Sequence, residues 1–222
     1  MIQKNKNKLA KPKGQSFIEL ALVFMVLMLI FAGVVELGNL INVYLDVIDA
    51  GREAARNGNT YDFFNIDEST VPPTVTVGDL VFNEAAKIAW NTMNTNCQGI
   101  LQDRDVQLIP PACNMRIPFD PLNDDIVVSV ISYDGSSLTR FPDGNGWSRF
   151  NNAVSTVSNA EILTHLDGAT PRTGMIMVEV FYSYHQLLGM PFFTTVIPDP
   201  IPVHTYSIMP YPLADPTPIP IP

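Results

Sequence analysis

Charged residues are scarce in this chain: they make up 16% of the sequence, whereas hydrophobic residues make up 46%. Basic residues are scarcer still beyond the N-terminus, because the first fourteen residues hold five lysines and no acid (Lys4, Lys6, Lys8, Lys11 and Lys13). Without that segment the chain has 8 basic and 22 acidic side chains and a net charge of −14. Affinity for nucleic acid depends on Lys and Arg that neutralise phosphates. This charge balance argues against nucleic acid as a partner.

Catalytic motifs are also missing. The three histidines, His165, His185 and His204, lack the H-x-x-x-H or H-E-x-x-H spacing of a zinc site. No G-x-S-x-G motif and no P-loop occurs in the sequence. We therefore expect no enzyme, no catalytic residue and no cofactor.

Two loops contain oxygen-bearing side chains of the kind that bind calcium. One contains Asp120, Asn123, Asp124 and Asp125, and the other contains Asp143-Gly144-Asn145. Neither has the full EF-hand spacing. Solvated turns are the simpler interpretation, so no metal site is predicted.

Four aromatic residues, Trp90, Trp147, Tyr182 and Tyr184, are candidates for an exposed adhesive patch. Aromatic side chains in predicted helices and strands are more often part of the core. The core is the favoured interpretation.

The only two cysteines are Cys97 and Cys113, and two thiols alone cannot form a tetrahedral zinc site. A disulfide is the favoured interpretation, and it requires an oxidising compartment outside the cytoplasm. The alternative is a pair of unrelated buried thiols.

One long hydrophobic segment is present. Phe17 to Val35, which we call the apolar run, contains a single charge, Glu19. Its 19 residues would form about 28 Å of helix, close to the roughly 30 Å of a bilayer core. Because the lysines precede it and acidic residues follow it, the positive-inside rule predicts Met1 in the cytoplasm and the rest outside. We expect a single-pass protein of the cytoplasmic membrane, in contact with lipid.

The start of the apolar run reads Gly14-Gln15-Ser16-Phe17-Ile18-Glu19, and it resembles the type IV prepilin signature. The resemblance implies that a prepilin peptidase cuts after Gly14 and leaves Gln15 as the new N-terminus. It also implies that Glu19 pairs with an N-terminal amine as subunits pack. The alternatives are an unprocessed loop glycine and a carboxylate that reaches the lipid headgroups.

A second segment of the same predicted helix resembles a narrower family. The start continues as Leu20-Ala21, and Ala50 to Gly58 reads AGREAARNG. These parts resemble the TadE-like proteins of tight-adherence (Flp) pilus systems, which share a G-Q-S-x-x-E-x-A start and an A-x-R-x-A-A-R-x-G segment. The alternative for Arg52 and Arg56 is a pair of solvated charges on a helix face.

The pattern of apolar residues predicts one long helix that ends near Asn57, with Gly58 as its stop, because apolar residues continue at three- and four-residue intervals beyond Glu36 (Leu37, Leu40, Ile41, Tyr44, Leu45 and Ile48). Asp79 is a plausible N-cap for a second helix that ends near Asn94. Strands are predicted over 126–133, 175–184 and 203–208, with a turn at Asp134-Gly135. The loop-rich region 134–172 is the expected variable or binding surface, around a helix from Asn152 to His165.

Together these elements predict an α+β protein: a long N-terminal transmembrane and amphipathic helix, then a small extracytoplasmic domain with an antiparallel sheet, then a Pro-rich tail. The expected parts are a leader (1–14), a transmembrane and stalk helix (15–58), the domain (59–209) and an extended tail (210–222). The prolines at 198, 200 and 202 are also expected to favour polyproline II over a regular sheet.

The expected function is that of a structural or minor component of a tight-adherence pilus, assembled with pilin or other Tad subunits through the N-terminal helix as a homo- or hetero-oligomer. Two alternatives remain at this point. One is a solitary membrane-anchored adhesin or binding domain, and the other is the repeating subunit of a large-headed filament.

Overall fold

A computed structural model describes residues 15–62, 64–67, 74–93, 117–164, 166, 172–189, 194 and 197–214. The first element is one continuous helix, α1 (Gln15–Gly58), of 44 residues and about 66 Å. The predicted helix length is thus confirmed. The rest of the described chain, residues 59–214, is called the head.

The head contains a second long helix and seven strands among its described residues. The elements are β1 (Phe64–Asp67), β2 (Thr74–Val77), α2 (Leu80–Met93), β3 (Asp125–Tyr133), β4 (Leu138–Phe141), β5 (Trp147–Ser148), α3 (Asn159–Thr164), β6 (Thr173–Tyr184) and β7 (Ile201–Pro210). A short 3₁₀ helix, Pro212–Ala214, follows β7. Strands β1 and β2 form a separate antiparallel pair.

The main sheet is antiparallel, with the order β4-β3-β6-β7 and β5 paired to β3. Its centre is the long pairing of β3 with β6, from Asp125 opposite Phe181 to Tyr133 opposite Thr173. The α+β architecture expected from the sequence is confirmed. The turn at Asp134-Gly135 is confirmed too, since Asp134 N donates to Ser137 O and Gly135 has a φ of +97°.

The core lies between the sheet and the two long helices. Residues that alternate along β3 and β6, such as Val128, Val130 and Val178, face α1 and α2. A smaller apolar cluster on the opposite face joins Ile131 and Met177 to Ile162 of α3. Trp90, Trp147, Tyr182 and Tyr184 are all buried, so the core interpretation of these aromatic residues is confirmed.

Three local expectations were wrong. The helix predicted from Asn152 is only Asn159–Thr164, because Ser158 caps it: its Oγ accepts from Glu161 N at 3.2 Å. Residues 138–141 and 147–148, assigned to a loop-rich insertion, are strands of the main sheet. Pro202 lies inside β7 rather than in polyproline II, which the sheet tolerates because β7 is an edge strand.

Candidate functional site

Small residues line the side of α1 that packs on the head. Ala50, Gly51, Ala54, Ala55 and Gly58 are all buried. A Cβ built on Gly58 would lie 2.8 Å from Ile176 Cδ1 and 3.1 Å from Ala85 Cβ. Gly58 is the last residue of α1, and its φ is not positive. A side chain at this position would obstruct the close packing between α1, α2 and the sheet, so the glycine is needed for space.

The two arginines of the same segment point away from the head. Arg52 lies 3.6 Å from Asp49, and Arg56 lies 3.6 Å from Glu53, each within one turn of the helix. Arg52, Asp49 and Arg56 are largely exposed and Glu53 is partly exposed, so these pairs contribute little to stability. The alanines and glycines of the A-x-R-x-A-A-R-x-G segment face the head, and its arginines remain available at the surface.

The face of α1 next to the one that packs on the head is apolar and only partly covered. Leu37, Ile41, Tyr44 and Leu45, which we call the outer stripe, are 45% to 57% exposed. Their i, i+4, i+7, i+8 spacing places them on one side of the helix. The outer stripe extends the exposed apolar surface of α1 beyond Val35 by almost three helical turns, in the direction of Gly58. A contiguous apolar surface of this kind is typical of an interaction site.

Glu19 lies on the same side of α1 as the outer stripe. It is exposed, and it precedes Leu37 by 18 residues, which is five full turns of a regular helix. Gln15 is the first residue of α1. Gly14, Cys97 and Cys113 lie outside the described residues.

A carboxylate at the end of the apolar run fixes the head to α1. Glu36 Oε1 accepts hydrogen bonds from Tyr184 Oη and from Leu187 N, both at 2.8 Å, and Oε2 accepts one from Leu188 N at 3.0 Å. Asn39 Nδ2 donates to the same Tyr184 hydroxyl at 2.8 Å. We call this group the Glu36 clamp. In the sequence, Glu36 is recognisable as the first charged residue after the apolar run, but no neighbouring residue pattern indicates Tyr184 as its partner.

The carboxylates considered as calcium ligands have structural roles. Asp125 is fully buried, and its oxygens accept from the N–H groups of Ile126, Phe150, Asn152 and Ala153. Asp124 accepts from Asp120 N and Ser183 N, both at 2.7 Å. Burial raises the pKa of Asp124, although these hydrogen bonds act in the opposite direction. Asp124 and Asp125 are thus not solvated, and they use their oxygens to hold loops to the sheet.

His204 belongs to a partly buried polar contact on the sheet face opposite α1. Its Nε2 lies 3.1 Å from Oε1 of Glu179, a fully buried carboxylate that also accepts from Thr156 N at 3.1 Å. Burial opposes ionisation of Glu179, but the hydrogen bonds from His204 and Thr156 outweigh it and lower the pKa of this carboxyl. The contact fixes the segment before α3 to the sheet. Among the described residues, no three His, Cys, Asp or Glu side chains are grouped as a metal site would require.

Comparison with known proteins found one family. Residues 14–56 match the TadE family model, described as TadE-like protein. No curated protein and no solved structure matched the chain. The TadE-like family is structural rather than catalytic.

The matched segment begins at Gly14, covers the apolar run and the outer stripe, and ends at Arg56. By length and composition, α1 is the one described helix that could cross a membrane. The apolar helix and the family together fit a membrane-anchored protein. The resemblance predicted from the sequence is confirmed over this segment, because residues 14–56 match the model of the TadE-like family.

Proposed function

We propose that this protein is a structural or minor component of a tight-adherence pilus assembly, joined to neighbouring subunits through the outer stripe of α1. The observation that carries the proposal is the exposure of Leu37, Ile41, Tyr44 and Leu45 beyond the end of the apolar run. The head packs on the adjacent face of α1 and covers these four side chains only in part, so about half of their surface remains for another helix.

The length of α1 separates the outer stripe from the lipid. The helix is about 66 Å long, and a bilayer core accounts for only about 30 Å of it. If the apolar run crosses the bilayer, the outer stripe lies outside. Fully burying a large apolar side chain stabilises by about 1.5 to 3 kcal/mol, so four half-exposed ones represent several kcal/mol of unused association energy. A neighbouring subunit's helix would cover them.

The N-terminus fits the same proposal. Cleavage by a prepilin peptidase after Gly14 would remove the lysine-rich leader and make Gln15 the N-terminus. Glu19, on the side of the outer stripe, would then pair with the N-terminal amine of a neighbouring subunit. The lysines of the leader favour a cytoplasmic N-terminus and a head outside the membrane.

The first experiment tests the outer stripe. The double variant Ile41→Ser/Tyr44→Ser should be made in full-length protein and inserted in membranes normally, but its recovery with sheared filaments or with the detergent-extracted Tad complex should fall sharply. Leu80→Ser is the matched control, because Leu80 is an exposed leucine of α2, at 54% exposure, that lies off the stripe. Equal recovery of the double variant and the control would rule out assembly through this face.

The second experiment tests processing. N-terminal sequencing of the membrane-bound protein should give Gln15, and an intact Met1 would refute cleavage. Glu19→Ala should leave membrane insertion unchanged and reduce incorporation into the assembly. Unchanged incorporation would refute the proposed pairing of Glu19.

The location of the head outside the cytoplasm also predicts a disulfide between Cys97 and Cys113. The mass of the unreduced protein after alkylation should show no modified cysteine. Alkylation of both thiols without reduction would contradict the disulfide.

A further inference from the structure

One end of the head lies beside the apolar run. The Glu36 clamp joins α1 to Tyr184, the last residue of β6, whereas Gly58 at the far end of α1 approaches Ile176 near the start of β6. Strand β6 therefore runs back along α1 toward the apolar run. The described residues after β6, 185–189 and 197–200, and the start of β7 form the end of the head nearest the apolar run.

This end carries exposed apolar side chains. Leu187 is 61% exposed, and Leu188 and Ile197 are each 42% exposed. We call these three residues the membrane-side rim. Both leucines are held in place through their backbone, because Leu187 N and Leu188 N donate to the carboxylate of Glu36. The rim is thus fixed at the level where the apolar run ends.

The rim also adjoins the last turn of the apolar run. Ile197 and Gly33 line the same small apolar cavity between the head and α1. Gly33 lies two residues inside the apolar run, and about 4.5 Å of helix rise separates it from Glu36. Between residues 16 and 35 the only partly buried positions are Leu29, Ala32 and Gly33. They share the helix face of Glu36, so the side of α1 that carries the head continues into the apolar run.

We infer that the membrane-side rim inserts into the interfacial region of the bilayer leaflet from which α1 emerges, and that the head has a second lipid contact besides α1. This inference rests on the proposed crossing of the membrane by the apolar run. Once that run is in lipid, side chains fixed beside Gly33 and Glu36 lie at the boundary of headgroups and acyl chains. A position beside the last turn of the apolar run agrees with the shallow insertion, roughly 5 to 10 Å, of interfacial apolar residues.

The chemistry of the rim favours lipid chains over anionic headgroups. The sequence from Tyr184 to Ile201 contains no Lys or Arg. His185 Nδ1 and Asp199 Oδ1 in this segment lie 3.2 Å apart. Insertion is therefore driven by apolar burial, and it should occur on zwitterionic phosphatidylcholine and be insensitive to salt.

The test places single tryptophans in the full-length protein and measures quenching by brominated lipids. Leu187→Trp and, as a second rim position, Ile197→Trp are reconstituted in phosphatidylcholine vesicles brominated either near the headgroups or near the chain ends. Phe24→Trp reports the middle of the apolar run. Leu213→Trp is the matched control, since Leu213 is 44% exposed and lies in the 3₁₀ helix at the opposite end of the head.

The native tryptophans, Trp90 and Trp147, are buried in the head and provide a constant background. The expected result is that the rim tryptophans lose most emission to lipids brominated near the headgroups, and that the Phe24→Trp variant loses most to lipids brominated near the chain ends. The Leu213→Trp variant should lose none. Added salt should change none of these losses.

Three results would overturn the inference. Rim tryptophans that resemble the control while the Phe24→Trp variant is quenched would refute the rim and leave the membrane-crossing helix standing. Rim tryptophans with blue-shifted emission but no quenching by any lipid would mean that protein, such as a second copy of the chain, covers the rim. Absence of quenching in the Phe24→Trp variant would refute the proposed crossing and the rim with it.

Discussion

Replacing Glu36 by glutamine is expected to loosen the head from α1. The carboxylate accepts three hydrogen bonds, two on Oε1 and one on Oε2. A glutamine side chain has one acceptor oxygen, so its amide must face at least one of the donors of Tyr184, Leu187 or Leu188. Hydrogen bonds to charged groups contribute about 1.5 to 3 kcal/mol each. Because the loop is partly exposed, we expect Glu36→Gln to lower the free energy of unfolding by about 1 to 2 kcal/mol.

Unfolding of the head can be followed in detergent through the fluorescence of its buried Trp90 and Trp147. For a domain of this size, 1 kcal/mol corresponds to about 2 to 4 °C in Tm, so a decrease of about 2 to 8 °C is expected. Asp49→Asn is the matched control: it removes the same charge from the same helix, but its partner Arg52 is exposed. A Tm equal to that of the wild type, or equal decreases in both variants, would show that the Glu36 clamp does not stabilise the head.

Two further predictions concern the head itself. Gly174→Ala would place a Cβ 2.1 Å from the carbonyl oxygen of Tyr211, so the segment after β7 must shift; we expect a loss of about 1 to 3 kcal/mol in unfolding free energy, whereas Gly144→Ala, with nothing within 4 Å, should be nearly neutral. At the β3–β4 turn, hydrogen bonds from Ser137 and Ser136 lower the pKa of Asp134 below its ordinary value of 3.8. The ionised carboxylate of Asp134 therefore stabilises the folded state above that pH. The stability advantage of wild type over Asp134→Asn should shrink as pH falls through 3.8 and below, and a difference that stays constant from neutral to acidic pH would contradict this cause.

Elements with strong local signals were predictable from the sequence. The long α1 followed from sustained apolar periodicity, and Asp79 correctly indicated the start of α2 at Leu80. The long strands β3 and β6 followed from their β-branched and aromatic residues. The short strands β4 and β5 lack such runs and owe their conformation to pairing with β3, which tertiary contacts alone decide.

The side of α1 that packs on the head could not be read from the sequence. The periodic residues beyond Glu36 divide between two faces: Leu40 contacts the core, whereas Leu37, Ile41 and Tyr44 are exposed. Apolar residues on two sides leave a helix only weakly amphipathic. The inward face becomes evident only from the small residues near the end of α1, and the sequence does not state what packs against them.

The Glu36 clamp was likewise invisible in the sequence, because its partners are separated by 148 residues along the chain. Long-range polar contacts of this kind depend on the register of the sheet, which brings the end of β6 beside α1. The same is true of Asp125, whose carboxylate holds the segment from Phe150 to Ala153 against β3. The cluster of loop carboxylates therefore indicated polar interactions correctly. The sequence did not show that backbone amides would be the donors to these carboxylates.

The contacts at the two ends of the interface between α1 and the head have a consequence for assembly. The Glu36 clamp holds the lower end, and the close approach of Gly58 to Ile176 and Ala85 holds the upper end, 22 residues or about 33 Å away along the helix. Two attachments that far apart prevent α1 from rotating about its axis relative to the head. The outer stripe and Glu19 must therefore face in a fixed direction with respect to the head. A neighbouring subunit that packs on the outer stripe would set the orientation of the whole head at the membrane surface.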